Sequence, residues 1–160
     1  MESSITYFAY GSNMSTRRLR CRVPSAQPVG RAMLRDWALV FNKRSKDGSA
    51  KANILRRPRR SVWGVVFQLA CAEMEQLDTA EGLGKGYEHR WVQVRLENSE
   101  AISALTYVGT DLADDLQPYD WYMKYVLEGA REHGLPPDYI RALEELPTQA
   151  DGRPAVSRKE

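Results

Sequence analysis

From Ser61 to Leu69 the chain is apolar nearly throughout, carrying Val62, Trp63, Val65, Val66 and Phe67 in a single run. A strand that alternates apolar and polar residues can leave one face in water, but this one cannot. It must be covered on both faces, so the rest of the chain has to wrap it. The neighbouring segments offer strands to do so. Ile5 to Tyr10 is a short run of β-branched and aromatic residues. Asp36 to Asn42 carries Trp37, Leu39, Val40 and Phe41, and Ala52 to Leu55 is a further short strand. Tyr87 to Glu97 alternates Val92, Val94 and Leu96 with Gln93 and Arg95, and Ala101 to Val108 follows it. Asp47-Gly48 reads as a hairpin turn, Arg56 to Arg60 as a basic turn, and Asn98-Ser99 as a third turn.

Helical signals are fewer and gather late. Ser15 is placed to cap a helix running to about Cys21, with Pro24 and Pro28 marking the loop beyond. Cys71 to Ala80 places Cys71, Met74 and Leu77 at helical spacing and ends at Gly82, Gly84 and Gly86. Asp120 to about Glu132 puts Tyr122, Tyr125, Val126 and Gly129 on one face; His133-Gly134 closes it and Pro136 blocks its extension. Pro137 to Leu146 is a last helix, and the polar tail 147–160 is expected to fray. Strands fill the first two thirds and helices the end, which predicts an α+β fold rather than alternating βαβ units. With no repeat and no linker, residues 1–160 read as one domain.

Several function classes receive no support. The net charge is +2 over 160 residues, so no nucleic-acid partner is expected. No apolar run approaches the ~20 residues of a membrane span. Met1-Glu2-Ser3-Ser4 lacks a signal-peptide pattern, and two cysteines make no disulfide framework. A cytoplasmic protein is the expectation. Cys21 and Cys71 are expected to be small buried hydrophobes, and His89 structural. The arginines at 17, 18, 20 and 22, and those from 56 to 60, read as solvated faces. His89 and His133 stand in no metal-ligand spacing, and Gly82-x-Gly84-x-Gly86 follows a helix and leads into a strand, the wrong order for a phosphate loop. No metal and no cofactor is implied.

Two features could carry chemistry. Tyr10-Gly11-Ser12-Asn13 is a strand-to-helix loop. Gly11 lets the backbone turn and come close to a ligand, and unpaired amides there can hold a carboxylate or a developing oxyanion. A plain turn explains the loop equally well at this level. Glu81 lies between a helix and the glycine-rich turn, where it is either solvated surface or a carboxylate beside a small-ligand site.

Read together, Tyr7-Phe8-Ala9-Tyr10-Gly11-Ser12-Asn13-Met14, Val62-Trp63-Gly64-Val65-Val66-Phe67 and Leu77-Asp78-Thr79-Ala80-Glu81-Gly82 resemble the γ-glutamylcyclotransferase family, with its AIG2-like fold. Gly129-Ala130-Arg131-Glu132-His133-Gly134-Leu135-Pro136 followed by Tyr139 resembles that family's C-terminal helices. The resemblance runs in order from about Thr6 to Leu146. It implies a strongly curved mixed β-sheet or small β-barrel with packed helices, and a cavity floored by the Tyr10–Asn13 loop. It implies Glu81 as general base, with Tyr10, Gly11, Ser12, Asn13, Tyr87 and Tyr122 around the substrate. The reaction implied is release of 5-oxoproline from a γ-glutamyl compound, in glutathione metabolism or a related route, by attack of the α-amino group on the γ-carbonyl. The same fold acting on γ-glutamyl-amines, isopeptide lysine adducts or a γ-glutamyl-protected intermediate stays open, as does a binding module that has lost the chemistry. Met14 stands where the family commonly has leucine, and residues 43–60 match poorly, which leaves substrate identity unsettled. Oligomeric state is not readable, and a homodimer stays open.

Overall fold

The structure, a computed structural model, describes residues 3–98 and 100–154. Its strands are β1 (Ser4–Ala9), β2 (Gln27–Arg44), β3 (Ala50–Ala70), β4 (Tyr87–Leu96) and β5 (Ala101–Gly109). Its helices are α1 (Thr16–Arg22), α2 (Met74–Glu81), α3 (Asp120–Glu132) and α4 (Pro137–Glu144), with short 3-10 turns at Ser12–Met14 and Cys71–Glu73. The strands close a barrel in the order β1-β3-β2-β4-β5. Neighbours are antiparallel except where β1 meets β5, parallel at Tyr7 and Leu105. This is the curved, mixed α+β barrel that the resemblance implies.

The apolar run that opened the sequence is buried on both faces of β3. Val62, Val65, Val66 and Phe67 are fully buried together with Phe8 and Ile54. Burying each such side chain is worth ~1.5–3 kcal/mol. Helix α1 begins where Ser15 Oγ accepts the Arg18 amide, and α2 ends at Gly82, whose left-handed φ of 74° turns the chain out of the helix.

Several expectations are corrected. The two middle strands are far longer than their apolar stretches, because the hairpin through 45–49 continues on both sides: β2 starts at Gln27 and takes in Pro28, and β3 absorbs Arg56–Arg60. The basic segment is a bulged stretch of strand and not a turn. Trp37 pairs with Arg56 and Arg35 with Ser61, so Asp36 faces the extra residues alone. Asp36 Oδ1 accepts the Arg59 amide at 3.1 Å, and both residues take positive φ. Cys21 and Cys71 are exposed, since each sits on the outer surface of its helical turn. The tail does not fray as far as Pro154. Gln149 bridges to Tyr119, and Trp121 Nε1 donates to the buried Asp151 carboxylate at 2.9 Å. Arg153 holds that carboxylate well below the usual range. Residues 155–160, and Ser99 of the turn expected at Asn98-Ser99, lie outside the described residues.

Helix α3 is seated by Gly129. A Cβ there would stand 2.3 Å from the Met14 carbonyl carbon and 2.4 Å from the Ser15 amide nitrogen. Both are backbone atoms that cannot rotate away. Gly129→Ala is therefore expected to destabilise the fold by ~1–3 kcal/mol or more, the cost of overpacking. Chemical denaturation measures it, and a variant as stable as wild type would show that the contact gives way freely.

Candidate active site

One end of the barrel opens beside the Tyr10–Asn13 loop. The cavity there is small, about 30 Å³, and open to solvent. It is lined by Tyr10, Gly11, Ser12, Asn13, Glu81, Tyr87 and Tyr122, the residues singled out in the sequence. Elements far apart in the chain bring them together: the turn after β1, the end of α2, the start of β4 and the first turn of α3.

The half-buried Glu81 carboxylate is held by the loop itself. Asn13 Nδ2 donates to Glu81 Oε1 at 2.5 Å and to the Tyr7 hydroxyl at 3.1 Å. Among the described residues, Glu81 Oε2 has no hydrogen-bond partner. One carboxylate oxygen is thus fixed by the loop.

Tyr87 and Tyr122 reach the cavity in a particular way. Both hydroxyls are committed to the backbone of Ala52 on β3. Tyr87 Oη donates to the Ala52 carbonyl at 2.7 Å, and the Ala52 amide donates to Tyr122 Oη at 3.0 Å. Their rings wall the cavity while their hydroxyls are committed to β3. Gly11 serves the same closeness. A Cβ on it would stand 3.0 Å from both Ala52 Cβ and Tyr122 Oη, so the glycine is required by crowding against the protein at a φ of −117° that any residue adopts.

Sequence reading missed Tyr7, Ala52, Thr106 and Tyr107, which complete the wall. Tyr107 Oη donates to Asp78 Oδ1 at 2.6 Å, and His89 Nε2 meets the same oxygen at 2.7 Å, so His89 braces this wall from outside. The only available signal was that Tyr7 and Tyr107 lie in apolar strands, which equally describes packing. Burial, ahead of any neighbouring charge, pushes the phenols of Tyr7, Tyr10, Tyr87 and Tyr107 up and Tyr122 up to about 12. All five stay neutral over the physiological range and can donate or accept without adding charge.

The cations are nearer the site than the sequence suggested. Arg18 and Arg22 on α1 do not form a solvated face: Arg18 is 5% exposed, and Arg22 donates to Asn13 Oδ1. Lys51 Nζ lies 4.9 Å from the Tyr122 ring centre and 5.2 Å from that of Trp121. Lys43 Nζ lies 4.8 Å from the Tyr87 ring centre.

Lys51 gives the site a signature in pH. Burial lowers its ammonium to about 8, with Asp47 opposing the shift. Between pH 8 and the ordinary lysine value of 10.5 the unfolded chain holds a proton that the folded chain has released. Stability contributed by this residue therefore rises with pH across that window. Denaturant midpoints of wild type and Lys51→Met, compared from pH 7 to 10, are expected to show the wild type gaining on the variant above pH 8. A difference constant in pH would remove the buried-cation assignment.

The model of the AIG2-like family matches residues 61–143. Gamma-glutamylcyclotransferase from Homo sapiens is 34% identical over 151 residues, 91% of this chain and 80% of that protein. The Bos taurus protein of the same name is 34% identical over 149 residues, 89% of this chain and 79% of its own length. A solved structure titled gamma-glutamyl cyclotransferase superposes with a TM-score of 0.87 at 31% identity, covering 95% of this chain and 93% of that one. Sequence and barrel agree along nearly the whole length, and this chain belongs to the AIG2-like family as an enzyme of the gamma-glutamylcyclotransferase type.

Proposed function

We propose that the enzyme releases 5-oxoproline from γ-glutamyl-amino acids or related γ-glutamyl compounds, with Glu81 as general base. The observation that carries this reading is the Glu81 carboxylate on the cavity wall, one oxygen held by Asn13 and the other without a partner among the described residues. The substrate's α-amino nitrogen attacks its own γ-carbonyl, the five-membered lactam closes, and the bond to the departing nitrogen breaks.

Proton accounting supports a single carboxylate. An α-ammonium titrates near ~8 and must lose a proton before it can attack. The lactam nitrogen ends with one hydrogen, so two protons leave it in all, and the departing amine gains two. Glu81 takes each proton and returns it to the leaving nitrogen, which makes it base and then acid. Folding the substrate so that amine and carbonyl meet lowers the barrier further. Within the loop, the Met14 amide is bonded to the Gly11 carbonyl at 3.1 Å. The anion-holding donors are then the other loop amides and the Ser12 hydroxyl. The polar lining of the cavity suits the charged groups of a glutamyl head.

Purified protein is to be incubated with γ-glutamyl-amino acids and γ-glutamyl-amines, and 5-oxoproline measured by mass spectrometry. Glu81→Gln is expected to fold normally and to lose roughly 10²–10⁴-fold in turnover. Wild-type turnover in a folded Glu81→Gln protein would sink the assignment of the base. Absence of product from every substrate would point to a binding role for the pocket.

A further inference from the structure

Two arginines of α1 stand behind the loop. Arg18 Nε donates to Ser12 Oγ at 3.2 Å, and Arg22 Nη1 donates to Asn13 Oδ1 at 2.9 Å. They are four residues apart, so they leave one side of the helix a single turn apart, and they meet consecutive residues of the loop. Arg18 is buried and forms no ion pair with a described residue; its guanidinium lies 4.3 Å from the Tyr125 ring centre and 5.7 Å from that of Trp121. A buried cation without a carboxylate is costly to retain, and local costs of this kind gather at functional sites.

We propose that Arg18 and Arg22 are positioning residues that fix Ser12 and Asn13 as hydrogen-bond donors toward the cavity. An asparagine amide carries one acceptor oxygen and two N–H groups. Arg22 occupies the oxygen, so Nδ2 must face the other way, where its two hydrogens meet Glu81 Oε1 and the Tyr7 hydroxyl. The flipped amide would set oxygen against carboxylate and N–H against guanidinium, unfavourable at both ends. The guanidinium also polarises the amide and strengthens its donation to Glu81. Arg18 acts alike on Ser12. Its Nε–H occupies a lone pair of Oγ, so the hydroxyl hydrogen is turned from the helix toward the cavity that Ser12 lines. The two arginines make a donor wall out of side chains that could otherwise present oxygen, and a wall of donors favours a carboxylate or an oxyanion.

This inference rests on Glu81 being the base, and its test has a readout that needs no substrate. In the proton–nitrogen correlation spectrum of the free protein, one Asn13 side-chain proton is expected far downfield through its short bond to Glu81. Arg22→Met is expected to bring the Asn13 pair back to ordinary positions and to lower kcat roughly 10- to 100-fold, the scale of a misplaced catalytic group, with KM changed far less. Arg22→Lys keeps a cationic donor and is expected to restore most of both. Arg18→Lys, which cannot reproduce the Nε geometry, is expected to lower kcat while leaving the Asn13 signals in place. Asn13 signals unchanged in a folded Arg22→Met protein would overturn the proposal, and so would altered signals with undiminished kcat. Failure of the wild type to make 5-oxoproline would instead sink the reaction reading, since the Asn13 signals do not depend on it.

Discussion

The pocket depends on how closely the loop from Gly11 to Ser15 is pressed between the barrel and α3. On one side Gly11 sits against Ala52 and the Tyr122 hydroxyl, and on the other Gly129 brings α3 onto the Met14 and Ser15 backbone. Neither glycine is needed for its handedness. At Gly129 a methyl group would run into the Met14 and Ser15 backbone, and at Gly11 it would crowd the Ala52 and Tyr122 side chains, in a close-packed setting with little room to absorb the displacement. With the loop wedged this way, Asn13 has one place to go, and that place is the Glu81 carboxylate.

The electrostatic design follows from the wedge. A single carboxylate is surrounded by neutral phenols, with cations in a second ring at Arg18, Arg22, Lys43 and Lys51. Burial keeps the phenols protonated, so they supply directed dipoles without competing for protons. The cations sit on aromatic rings or behind the loop, so among the described residues the Glu81 charge is balanced at a distance and not by a direct ion pair.

Much of this was legible in the sequence, for physical reasons. The apolar run at 62–67, the α3 boundaries and the cap at Ser15 depend on local chemistry, and local chemistry is written in adjacent residues. Glu81 and the Tyr10–Asn13 loop became readable through resemblance. The misses share a different origin. Arg56–Arg60 carries turn-like composition, but the partner strand β2 imposes pairing on it. Arg18 and Arg22 look like a helix's wet side until α3 covers one and Asn13 engages the other. The tail 147–154 looks too polar to pack, yet Asp151 finds both Trp121 and Arg153. Strand β2 for Arg56–Arg60, α3 for Arg18 and Trp121 for Asp151 are remote in the chain, and no window of neighbouring residues contains them.

The way the barrel closes has a consequence for how the chain reaches this state. Strand β1 and the Tyr10–Asn13 loop are made first, but their last neighbour is β5: the Thr106 hydroxyl bonds the Phe8 carbonyl across 98 residues. The entropy of closing so long a loop must be met before that contact returns anything, which places the fold among the slower folders of its size. A ribosome-bound chain stopped short of β5 would hold the whole signature loop and Glu81 with an open sheet edge and no cavity. Chaperone demand during synthesis should therefore peak in that interval, after α2 emerges and before the barrel can shut.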